Sequence, residues 1–213
     1  MFKQRLWVFR LSLGGYLGKP TKECLTGVDE KNILEYWRKI HPIDYDCNLK
    51  LNMDVLKNDL KKGKLRQGWG TEFEEMNLNL NQPIKEWIEN YRKLEWRIWG
   101  NKVYCDMALG RYNILKKMKE MKFGDIIFVP KIPEENKFTI VTVKKGTYKF
   151  EPINGNCGRH GHLIEVEKIK EFNYTNHTFP KITFMPYRKA IDEIKEHHKN
   201  YAVIKDFLNR NYK

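Results

Sequence analysis

The sequence predicts an α+β fold, and three observations carry that expectation. Apolar residues recur at helical spacing up to Met121, and strand-type patterns dominate after Phe123. Helices and strands do not alternate as they would in a doubly wound parallel sheet. The strands of the second half are short and separated by turns, which suits a small, curved antiparallel barrel with flanking helices.

The elements follow in chain order. Arg5–Leu11 is rich in strand formers and meets a stop at Gly14-Gly15. Thr26 or Asp29 can cap a helix that carries Ile33, Leu34, Trp37 and Ile40 on one face and closes at His41-Pro42. A short helix is expected over Asp54–Lys62, ended by Gly63. Asn77–Gln82 is polar and reads as a loop, after which Ile84, Trp87, Ile88 and Tyr91 share a helical face. Arg111–Met121 gives a further helix with Ile114, Leu115, Met118 and Met121 as its buried stripe. Phe123-Gly124-Asp125 is a turn. Strands are expected over Asp125–Val129, Lys137–Val143, Thr147–Phe150 and His162–Val166, with Lys144-Lys145-Gly146 turning a tight hairpin. Lys181–Phe184 is expected as a last strand and Tyr187–Leu208 as a closing helix. The chain thus divides into an elaboration over 1–60, a core over 61–186 with an insertion near 77–106, and a C-terminal helix over 187–213.

Composition bounds the function. The chain has 213 residues, 41% of them hydrophobic, enough to bury about 70% of the unfolded surface without covalent staples. Cys24, Cys47, Cys105 and Cys157 are far apart and form no CxxC pair, so they read as reduced thiols. The opening apolar run is too short for a signal peptide, and no stretch of about 18 apolar residues offers a membrane span. A cytoplasmic location and no membrane partner are therefore expected. The net charge is +13, from 40 Lys+Arg against 27 Asp+Glu. The excess is clustered: Lys57–Arg66 and Arg111–Lys122 each hold five basic residues and one acidic one. Such clustering favours a polyanionic partner over a merely solvated surface.

The most distinctive segment is Arg66-Gln67-Gly68-Trp69-Gly70. Two glycines free the backbone on either side of a large ring, which can then stand in a pocket and stack on a base. The same segment suits a Trp buried in a tight turn, and composition alone favours that second role. Further along come Lys122-Phe123-Gly124-Asp125-Ile126, then Phe138-Thr139-Ile140-Val141-Thr142-Val143, Tyr148-Lys149-Phe150, and Gly161-His162-Leu163-Ile164-Glu165-Val166. In this order the segments resemble the PUA-like superfamily, and within it the EVE-type domains at the N-termini of modification-dependent restriction systems. In those domains a GWG segment precedes a helix, a K-x-G-D turn opens a strand, and a G-H-x-I-x-V strand closes the core. The resemblance spans Lys64–Phe184; the first 60 residues lie outside it.

That resemblance implies a reader of nucleic acid, with DNA favoured over RNA, that holds a modified or flipped base in an aromatic pocket as part of a defence system. Relatives often carry a nuclease or motor domain; none is visible here, which leaves that role to a partner subunit. The candidate pocket residues are Trp69, Trp99, Tyr148 and His160. The candidate phosphate contacts are Lys64, Arg66, Arg111, Lys116, Lys117 and Arg159. Two other readings stay open. One is an ASCH-type hydrolase or nuclease working through Lys64 or Lys122 with Glu165. The other is a protein-interaction subunit without catalysis. Cys157, His160 and His162 lie close together in sequence, yet no second ligand pair accompanies them, so neither a metal nor another cofactor is expected.

Overall fold

The computed structural model describes residues 4–11, 45–68, 77–99, 107–152, 160–174, 190–198 and 200–212, with backbone alone at 45–52, 95–99 and 145–147. The expected helix around Ile33–Ile40 and the expected strand at Lys181–Phe184 lie outside the described residues. Within them the fold is α+β: a curled, half-barrel mixed sheet with helices on both faces.

Six strands form the sheet: β1 (Leu6–Phe9), β2 (Lys64–Gln67), β3 (Ile126–Pro130), β4 (Lys137–Phe150), β5 (His162–Asn173) and β6 (Ile191–Glu193), in the order β2-β5-β4-β3-β1-β6. From β3 to β2 the neighbours are antiparallel, as the short turn-separated strands suggested. β1 lies parallel to β3, a pairing that needs a long crossover, and the helices between them supply it. All four residues of β1 are buried because both faces of this strand are covered. Trp7 and Phe9 enter the core inside the curl, with Ile127, Val129, Val141, Val143, Ile164 and Val166. Leu6 and Val8 enter a second core on the outer face, with Ile126, Phe128, Phe138 and Ile140.

Helices α1 (Tyr45–Lys61), α2 (Ile84–Trp99) and α3 (Ala108–Glu120) contribute to the inner core, and α4 (Tyr201–Asn211) covers the outer one. α2 buries Trp87, Tyr91 and Leu94, a stripe at helical spacing. Trp87 stacks on Tyr91 at 5.2 Å, and its indole N–H donates to the Leu78 carbonyl at 2.7 Å. α1 stops at Gly63, whose φ of +80° falls where a side chain is strained; a Cβ there would also stand 2.7 Å from the Val166 carbonyl oxygen. The Lys-Phe-Gly-Asp turn has an equally plain basis. Gly124 adopts φ +84°, and the buried Asp125 carboxylate accepts from the Arg5 and Lys122 backbone N–H groups and the Trp7 indole, each within 3.1 Å. The Arg5 guanidinium pairs with it at 2.8 Å.

Three expectations change. Lys144-Lys145-Gly146 does not turn a hairpin: β4 runs on without reversing, and both of its halves pair with β5. Val143 pairs with Val166 and Tyr148 with Ile164, so residues 144–147 bulge opposite the single residue Glu165. The helix expected over Tyr187–Leu208 begins only at Tyr201, because Ile191 belongs to β6. Ile191 and Ile194 have a helical i, i+3 spacing, but an odd spacing near a strand sends side chains to opposite faces, and these two enter different cores. Finally, α1 is longer than the Asp54–Lys62 pattern indicated. Among the described residues no helix is long and apolar enough to cross a membrane.

Candidate functional site

The curl of the sheet creates a seam. β4 and β5 continue past the start of β3 and carry β2 round the inner core. The far end of β2 thereby returns to the end of β1, where the Gln67 side-chain amide donates to the Arg10 carbonyl at 3.1 Å. Arg10 N–H in turn donates to the Ala190 carbonyl at 2.7 Å, at the start of β6. Register places Gln67, His162 and Phe150 side by side on three adjacent strands.

Polar groups concentrate here. Of the buried polar residues among those described, Arg66, Gln67, His160 and His162 all lie at the seam. Burying such groups is unfavourable unless each finds a partner. Tyr148 supplies one: its hydroxyl oxygen accepts from the Leu80 backbone N–H at 3.0 Å and lies 3.1 Å from His162 Nδ1. The hydroxyl can also donate to Asn79 Oδ1 at 3.5 Å, so the direction of its bond to His162 follows the imidazole tautomer. Burial pushes the Tyr148 phenol far above its ordinary value, so it stays neutral. The Tyr148 and His162 rings face each other at 6.1 Å, and Phe150 meets His162 at 5.3 Å with its ring tilted by 56°. Gln67 and His162 are buried, whereas Tyr148 and Phe150 are half-buried. The result is an aromatic-edged cluster with an amide and an imidazole set into it.

Arg66 braces the site from behind. It is 6% exposed, pairs through Nε with Asp59, and donates from Nη1 to the Glu151 carbonyl at 2.7 Å and the His160 carbonyl at 3.2 Å. A guanidinium fork suits that geometry and a lysine would not. It thus ties the end of β4 to the approach to β5, on both sides of residues 153–159.

The sequence candidates distribute unevenly. Tyr148 and His160 come together at the seam. Trp69 and Arg159 lie outside the described residues, one peptide bond beyond Gly68 and one before His160 respectively. Trp99 closes α2, and its side chain is likewise outside them. Lys64 forms a partly exposed ion pair with Glu151 at 3.2 Å. Arg66 and Lys117 are engaged inside the fold: Lys117 pairs with Asp192 and donates to the Ile191 carbonyl at 3.2 Å, fastening α3 to β6. Lys116 is exposed, and Arg111 is half-buried in the first turn of α3. Sequence reading missed Gln67 and Phe150, and weighed His162 only as a metal ligand. All three lie inside or beside motifs already in view, but only strand register reveals that they are neighbours.

Glu165 faces Lys64 across β2 and β5, and its ion pair with Lys149 at 2.7 Å, with Lys144 and Lys64 nearby, lowers its pKa. Among the described residues no three His, Cys, Asp or Glu side chains come together as a metal site. No protein family, curated protein or solved structure matches the chain.

Proposed function

We propose that this chain is a nucleic-acid-binding module that reads a modified or extruded base at the seam of its half-barrel. One observation carries the reading: buried hydrogen-bonding groups and half-buried aromatic rings meet at the seam of a chain with net charge +13. A planar base offers two ring faces and a hydrogen-bonding edge. Tyr148 and Phe150 suit the faces and His162 the edge, while the Gln67 amide would have to exchange its bonds to the Arg10 carbonyl and the Gly68 N–H to join it. Trp69, one residue past Gly68, is the further ring that the EVE-type resemblance assigns to the pocket, and that resemblance favours DNA. Extrusion costs a few kcal/mol, least where the pair is already weak. Stacking on an aromatic side chain returns about 1–3 kcal/mol, and phosphate contacts supply the remainder.

The test is a binding screen with duplexes that differ in one modified or mismatched base. Generic duplex binding should fall with salt at a log–log slope near −4 to −5, the value for about five neutralised phosphates. Trp69→Ala should remove the preference for the altered base, about 1–3 kcal/mol, and leave most generic binding in place. No binding at low salt, or a slope near zero, removes the proposal.

A further inference from the structure

At the bend of the half-barrel, away from the seam, one row of backbone bonds crosses four strands. The Val166 N–H donates to the Gly63 carbonyl at 2.8 Å, Val166 pairs with Val143, and Val143 N–H donates to the Asp125 carbonyl at 2.8 Å. Three strand spacings separate Gly63 from Asp125, about 14–15 Å. Exposed cations flank this row. Lys61 and Lys62 precede Gly63, Lys144 follows Val143, and Lys122 stands at the turn whose Gly124 N–H donates to the Val143 carbonyl at 3.0 Å. Beside Lys122 in that turn is Phe123, a residue 67% exposed. Acids near the row include Asp125, buried against Arg5 and Trp7; Asp59, paired with Arg66; Glu165, paired with Lys149 and near Lys144; and Glu120 and Glu167.

We infer that this row is a second contact surface for nucleic acid, one that takes an unpaired strand: the lysines follow its phosphates and Phe123 stacks on a base. The inference rests on the nucleic-acid reading above and adds to it the state of the strand and a place distinct from the seam. An aromatic ring so exposed is unfavourable in water and gains by covering its face. Within a duplex the base faces are already stacked, so only an unpaired base presents one. The cations fit a backbone polyanion in sign and come from three places along the row: Lys61 with Lys62, Lys144, and Lys122. An anionic membrane would also attract lysines, but binding there relies on a helix with a broad apolar face, and this row offers one ring in a turn.

The experiment measures binding of a fluorescent oligothymidine and of a duplex by fluorescence anisotropy between about 50 and 200 mM salt. Phe123→Ala should weaken oligothymidine binding roughly 5- to 150-fold while leaving its salt slope and the duplex affinity unchanged. Lys122→Gln with Lys144→Gln should flatten the single-strand slope by about 1.4, at about 0.7 per phosphate lost. Thermal midpoints check that both variants fold; Phe123 is a surface side chain, so its loss should leave the midpoint where it was. Wild-type binding with an unaffected Phe123→Ala overturns this inference and spares the seam reading. No binding of either oligonucleotide by the wild type sinks both. Phe123-dependent binding to vesicles of equal parts phosphatidylcholine and phosphatidylglycerol, with none to oligothymidine, assigns the row to a membrane instead and overturns it as well.

Discussion

Arg66 separates a structural cation from a phosphate contact, and Arg66→Met tests which it is. The side chain is 6% exposed and serves three acceptors: the Asp59 carboxylate and the Glu151 and His160 carbonyls. Methionine keeps much of the aliphatic stem and removes every donor. Each buried acceptor left without a partner costs about 1–3 kcal/mol. The three losses share one side chain and are not additive, so the expected destabilisation is that of breaking a buried pair, about 3–5 kcal/mol. With a urea slope of ~2 kcal/mol/M the unfolding midpoint should fall by about 2 M. Arg66→Lys retains the charge but cannot serve the Asp59 carboxylate and the two carbonyls from separate nitrogens, and should fall between the two. Nucleic-acid binding by whatever stays folded should keep its salt slope. The result that refutes the reasoning is the reverse: wild-type stability together with a duplex slope flattened by about 0.9, the signature of one lost phosphate.

Two further outcomes follow from local geometry. Gly63→Ala should destabilise by about 2–4 kcal/mol in urea unfolding, from left-handed strain of about 1–2 kcal/mol plus overpacking against the Val166 carbonyl; an unchanged midpoint would mean that the α1–β2 junction relaxes freely. Tyr212 donates to the Lys168 carbonyl at 2.5 Å and accepts from Thr142 at 2.9 Å, and burial raises its pKa to about 12 despite the Thr142 bond. Its neutral phenol therefore contributes stability that is fully present below pH 10 and is lost as pH rises toward 12, so the stability gap between wild type and Tyr212→Phe should shrink only above pH 10.

Local chemistry made much of the fold readable in the sequence. Trp87 and Tyr91 of α2 and Leu115 and Met118 of α3 are buried at the expected spacing, whereas Ile84, expected on the same α2 face, is 39% exposed. Gly63 and Gly124 stand at positive φ, where turn chemistry calls for glycine. What stayed hidden depends on distant partners. The Lys144–Gly146 segment has the composition of a hairpin, and only the pairing of both flanks with β5 makes it a bulge. Ile191 joins β6 because the edge of β1 is open to it, a fact of topology with no local signature. The same holds for the site. The resemblance puts Tyr148 among the pocket candidates, but its union with His162, Phe150 and Gln67 arises from three strands whose register the sequence does not state. Arg66 looked like a surface cation because it sits in a basic run, and nothing nearby in sequence announces the Glu151 and His160 carbonyls that occupy it.

The basic clusters therefore cannot be counted as one electrostatic surface, and the neighbours Lys116 and Lys117 make the point within a single turn of α3. Adjacent helical residues point about 100° apart. Here that rotation turns Lys117 inward to Asp192 and the Ile191 carbonyl, and leaves Lys116 exposed without an ion pair among the described residues. Lys117 already has an anion and a carbonyl to satisfy, so moving it to a phosphate would break the tie between α3 and β6. Lys116 has no such tie to give up. Lys117→Gln should lower stability by about 1–2 kcal/mol, the loss of a partly exposed charged hydrogen bond, and leave the duplex salt slope unchanged. Lys116→Gln should leave stability within about 0.5 kcal/mol. If α3 faces the duplex, it should also flatten the slope by about 0.9. Urea unfolding and a salt titration on the same two proteins decide the matter. Equal effects of the two substitutions on the slope would show that α3 presents its charge to the nucleic acid irrespective of the ion pair, and would sink the division between cations that hold the fold and cations that bind.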